Sequence, residues 1–102
     1  MPSIACDPTA IPPAERAAHA ALARRLFAGS EAHPVETSDE EGTRLQFDAG
    51  ALDDLTRWIG YERLCCPFLR FTLELAPAGG PIELTLTGAR GTRAFLEQEI
   101  YG

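Results

Sequence analysis

The chain has no lysine; its nine basic residues are all arginine. That removes amine chemistry, both a Schiff base and the lysine of a phosphate-binding loop. Positive charge is short altogether, with 15 acidic side chains against nine basic ones and a formal net charge of −6. Binding duplex nucleic acid takes clustered cations that displace counterions from phosphate, so no nucleic-acid partner is expected. No apolar run approaches the roughly 20 residues of a membrane span, and no membrane partner is expected. The stretch from Met1 to Pro13 lacks the basic and apolar regions of a signal peptide, which points to a cytoplasmic location.

Cysteine is scarce as well. There are three, an odd number, and the cytoplasm keeps thiols reduced, so a structural disulfide framework is not expected. Paired CxxC zinc signatures are missing. The two histidines, His19 in a helix and His33 in a loop, have no ligand spacing between them and read as ordinary surface residues.

What is present suits one globular domain over residues 1–102, with 45% hydrophobic and 24% charged side chains. An irregular leader, residues 1–11, carries Cys6. Pro12-Pro13 and Glu15 then open a helix over Ala14 to Ala28, with an apolar stripe of Ala18, Leu22, Leu26 and Phe27, closed by Gly29. Pro34 to Thr37 is a short strand, Ser38 to Gly42 a polar turn, and Thr43 to Phe47 alternates as a second strand. Asp48 is placed to cap a second helix running to about Cys65.

Phe68 to Leu75 and Ile82 to Thr87 alternate again around Pro77-Ala78-Gly79-Gly80-Pro81, a second hairpin. In the first of these strands Leu69, Phe71, Leu73 and Leu75 face inward. A final helix over Thr92 to Ile100 carries Phe95, Leu96 and Ile100. Alternating strands have one wet face. The fold class is therefore α+β: a two-layer sandwich in the order α-β-β-α-β-β-α, with helices on one face of a four-stranded antiparallel sheet.

Reactive chemistry concentrates at Glu62-Arg63-Leu64-Cys65-Cys66-Pro67-Phe68. Leu52, Leu55 and Ile59 define a helical stripe that continues to Glu62 and Cys66, so a carboxylate stands where the helix faces the sheet. A buried carboxylate needs a partner, either an arginine (Arg57, Arg63 or Arg70) or something at the site. Adjacent residues on a helix point about 100° apart. Pro67 disfavours helix at Cys66, and that break can swing the two sulfurs into one pocket. Cys6 can reach the same place from the leader.

Three thiolates suit Zn(II), Cu(I) or Hg(II) far better than Mg(II) or Ca(II), with Glu62 as an adjacent ligand, proton donor or salt-bridge partner. The metal set is thus Cys6, Cys65, Cys66 and Glu62, and the partner is a metal ion, with no organic cofactor. Two alternatives remain open. The cysteines can be buried filling in an interaction module, including a homodimer through the sheet face of Arg44, Thr72, Glu74 and Thr85. They can also serve thiol redox chemistry or an organomercurial lyase-like reaction. A helix C-terminus raises a thiol pKa, and no histidine base stands beside the pair in sequence, so catalysis is the weaker reading.

The run Glu62 to Phe68, with Phe71 after it and Cys6 before the first helix, resembles a family of small uncharacterised bacterial proteins. They share an E-x-x-C-C-x-F motif at a helix end and a leader cysteine. The resemblance implies a heavy-metal context and carries no established activity. Asp7-Pro8 and Pro12-Pro13 make this leader stiffer than the resemblance implies.

Overall fold

The computed structural model describes residues 4–101, and for Ile100 and Tyr101 the backbone alone. The apolar position expected at Ile100 therefore lies outside the described side chains. After a 3₁₀ turn at Pro8–Ala10, the elements are α1 (Pro13–Phe27), β1 (His33–Glu36), β2 (Glu41–Phe47), α2 (Leu52–Cys65), β3 (Arg70–Leu75), β4 (Ile82–Gly88) and α3 (Thr92–Tyr101). A second 3₁₀ turn, Ala49–Ala51, leads into α2. The α+β class and the element order are as expected.

All strand pairs are antiparallel, in the spatial order β1-β2-β4-β3. The two hairpins meet in the middle of the sheet, where Leu45 stands opposite Leu84. Period-2 patterning decides the faces. Thr43, Leu45 and Phe47 of β2 and Ile82, Leu84 and Leu86 of β4 are buried, while Arg44 and Gln46 are exposed on the other side. The buried set joins Leu22 and Phe27 of α1, Leu55 and Trp58 of α2 and Leu96 of α3 in one core. Phe27 meets Trp58 edge-on, with ring centroids 4.9 Å apart, a favoured geometry for aromatic pairs.

Several local features differ from expectation, among them the start of β3, at Arg70 rather than Phe68. Glu41 and Gly42 belong to β2 rather than to a turn, and Glu41 is buried. Its carboxylate accepts hydrogen bonds from the main-chain N–H groups of Gly91 and Arg93 at 3.2 and 3.1 Å. It satisfies donors at the start of α3 that the helix itself cannot use. Asp48 caps the 3₁₀ turn rather than α2, and among the described residues its side chain makes no capping hydrogen bond. Leu75 is 52% exposed, at the end of the edge strand β3. In α1 the buried face is His19, Leu22 and Phe27, with Ala18 exposed.

Gly42 is required by contact. A Cβ there would run into the carbonyl oxygen of Leu86 on β4. Gly29, after the end of α1, has φ +72°, the left-handed conformation that closes many helices.

Candidate metal centre

Helix α2 ends as the proline implies. Cys65 is its last residue, and Cys66 leaves the helical region at φ −121° and ψ 71°. The Cys66 N–H still donates to the Glu62 carbonyl at 2.7 Å, so the departure is tight. Cys65 Sγ and Cys66 Sγ lie 3.5 Å apart, close enough to share one ligand.

The leader is fixed against this corner by main-chain and apolar contacts. The Asp7 N–H donates to the Cys65 carbonyl at 2.7 Å, satisfying one of the last acceptors of α2. Asp7 in turn accepts from Thr9 within the 3₁₀ turn. Arg16 Nε donates to the Ile11 carbonyl at 2.9 Å. Ile11 packs with Cys65 and Cys66 in a small apolar cluster of its own, with Tyr61 and Phe68 around it. This folding of the leader brings Cys6 to the pair across 60 residues of sequence.

Cys6 and Cys66 are joined by a disulfide. This corrects the expectation that no structural disulfide forms. The odd cysteine count is accommodated by leaving Cys65 as a buried free thiol, and the pairing reaches across the fold rather than between the neighbours Cys65 and Cys66.

Glu62 sits inside the sulfur cluster. The Cys65 thiol donates to Glu62 Oε2 at 2.9 Å, and Cys66 Sγ lies 3.3 Å from the same oxygen. The other carboxylate oxygen, Oε1, lies 3.5 Å from His19 Nε2. Among the described residues Glu62 makes no ion pair with Arg57, Arg63 or Arg70; Arg70 pairs with Glu40 instead, at 3.3 Å. Burial, together with the hydrogen bond to Glu62 and its negative charge, pushes the Cys65 thiol up to about 12.

His19, expected on the surface, is buried. It stands edge-on to Tyr61 at 5.3 Å, and its Nδ1 has no hydrogen-bond partner among the described residues. The available signal was its three-residue spacing from Leu22. Shifting the α1 stripe by one residue, from Ala18 to His19, brings the imidazole inward.

All four expected residues are therefore together. One ligand atom from each of Cys6, Glu62, Cys65 and Cys66 lies within 4.8 Å of the others, close enough to hold a metal ion. The donor set of three sulfurs and one carboxylate oxygen fits a soft or borderline cation and does not fit Mg(II) or Ca(II). Two of the sulfurs are committed to the disulfide, so the full set exists only after reduction.

No helix of the described residues is long and apolar enough to cross a membrane. Comparison with family models, with curated proteins and with solved structures finds no match for this chain.

Proposed function

We propose that the reduced chain binds a soft metal ion, Hg(II), Cu(I) or Zn(II), through the thiolates of Cys6, Cys65 and Cys66 with Glu62 completing the set. The observation that carries this reading is the convergence of four donor atoms within 4.8 Å from two distant parts of the chain. A protonated thiol held up to about 12 is a poor nucleophile at neutral pH. A soft cation changes that balance, because it displaces the proton and supplies the positive charge missing at a helix C-terminus. Glu62 is positioned to relay the Cys65 proton to water as the ion enters, which leaves its carboxylate free to ligate. The role is binding, buffering or hand-over of the ion, consistent with the heavy-metal context implied by the E-x-x-C-C-x-F layout. A cytoplasmic location would keep the site in its reduced, binding-competent form.

The Cys6–Cys66 disulfide is the oxidised counterpart of this site. Oxidation joins two thiolates and gives two electrons to a disulfide acceptor, leaving a single sulfur ligand and no stable site for Zn(II). The same disulfide favours a second reading, thiol redox activity without a metal. Against it stand the high pKa of Cys65 and the carboxylate, rather than a cation, beside the sulfurs.

Native mass spectrometry separates the two. Protein reduced with a phosphine should take up one equivalent of Hg(II) or Zn(II). Cys65→Ser or Cys66→Ser should abolish uptake, and Cys6→Ser should weaken it. A reduced protein that binds no metal but cycles its disulfide with small dithiols would replace the metal reading with the redox one.

A further inference from the structure

The sulfur cluster opens onto a cavity of about 600 Å³. A water-sized occupant fills only about 30 Å³, so a bare ion would use a small fraction of this space. The volume falls instead in the range of small-molecule sites, about 300–1,000 Å³. Its walls beyond the sulfurs are mostly apolar, built from Ala23 and Phe27 of α1, Trp58 of α2 and Leu96 of α3, with the His19 ring and the Glu62 carboxylate among them. Arg24 and Glu99, both exposed, also line it, so it reaches the surface. The sulfur cluster and the aromatic side chains thus line one cavity.

We propose that this cavity takes a soft metal ion carrying one apolar organic group, an aryl- or alkylmetal cation, with the metal on the cysteine sulfurs and the organic group against Phe27, Trp58 and Leu96. The inference rests on the soft-metal reading above and names the ligand class of the same site. An organomercury cation bonds strongly to a single thiolate, and Cys65 is the thiol that remains free when Cys6 and Cys66 are joined. On binding phenylmercuric acetate, a mercury–sulfur bond forms and the mercury–acetate bond breaks. The Cys65 proton passes to Glu62, 2.9 Å away, and on to the departing acetate or water. No electrons are transferred. The phenyl group enters the chamber and leaves water, a gain that a bare ion does not share.

The test uses the full chain and its single tryptophan, which lines the cavity and reports a heavy atom by fluorescence quenching. Reduced protein is loaded with mercuric chloride, methylmercuric chloride or phenylmercuric acetate, and each is then competed off with glutathione. The expected result is that phenylmercury withstands about tenfold more glutathione than methylmercury, the advantage of burying one aromatic ring. Ala23→Leu, which narrows the chamber, should erase that preference while retention of mercuric ion is unchanged. The methyl–phenyl comparison needs no variant, so misfolding of Ala23→Leu would not remove the test. Equal retention of the methyl and phenyl compounds, with mercuric ion held, overturns the organic chamber alone. Loss of all three to low glutathione overturns the metal reading with it.

Discussion

Glu62 Oε2 accepts the Cys65 thiol proton at 2.9 Å, one helical turn back along α2. The i, i+3 spacing puts the two side chains side by side on one face of α2. It also gives Cys65 a chemical identity different from its neighbour, since Cys66 is oxidised and Cys65 is not.

Alkylation should report that difference. In the oxidised protein Cys65 is expected to resist iodoacetamide at pH 8, with labelling followed by mass spectrometry. Glu62→Gln removes a negative charge beside the sulfur and lowers the thiol pKa from about 12, so labelling should speed up. The increase should stop short of a free cysteine's rate, because burial is the largest cause of the shift and stays in place. Equal rates in the two proteins would show that the carboxylate does not act on the thiol.

Stability should fall on the alkaline side. An unfolded thiol gives up its proton near its ordinary value of 9, whereas folded Cys65 keeps it until about 12. Above pH 9 the unfolded state binds fewer protons than the folded one, so unfolding becomes easier as pH rises. The contribution is fully present below pH 9 and is lost between pH 9 and about 12. Denaturant midpoints of the oxidised protein at pH 8 and pH 10.5 should differ more for the wild type than for Cys65→Ala.

Reducing the disulfide should destabilise the chain by about 2–4 kcal/mol, since the Cys6–Cys66 link closes a long loop in the unfolded state. Adding one equivalent of Hg(II) to the reduced protein should restore most of the loss, because an ion held by both ends closes the same loop. Thermal unfolding of the oxidised, reduced and metal-loaded protein checks both statements.

Glu41 gives an acid-side counterpart. Main-chain donors of Arg93 and Gly91 hold its carboxyl below the usual carboxylate range. Its contribution is present above pH 4.5 and is lost as pH falls through the lowered folded value. Glu41→Gln should therefore be less stable than wild type at pH 7 and closer to it at pH 3, measured by urea unfolding.

Much of this was legible in the chain. Alternation in Thr43 to Phe47 and Ile82 to Thr87, the glycine after α1 and the proline after Cys66 are local signals, and the structure follows each. The approach of Cys6 rests on residues without a periodic pattern: the Asp7 main chain, the 3₁₀ turn and the buried Ile11. Sequence could place that thiol within reach but not choose its bonding partner. A charged residue after Asp39 and Glu40 looks like turn chemistry, and the N–H groups that justify the burial of Glu41 come from 50 residues further on. His19 differs from the expected stripe of α1 by one residue of helical phase.

The order β1-β2-β4-β3 puts the inner strand of each hairpin against the inner strand of the other. Severing the chain near Gly50 would strip β2 and β4 of their shared ladder and split Leu45 from Leu84. Each half would then carry an unpaired central strand, so the two hairpins are halves of one sheet rather than two modules that could be exchanged.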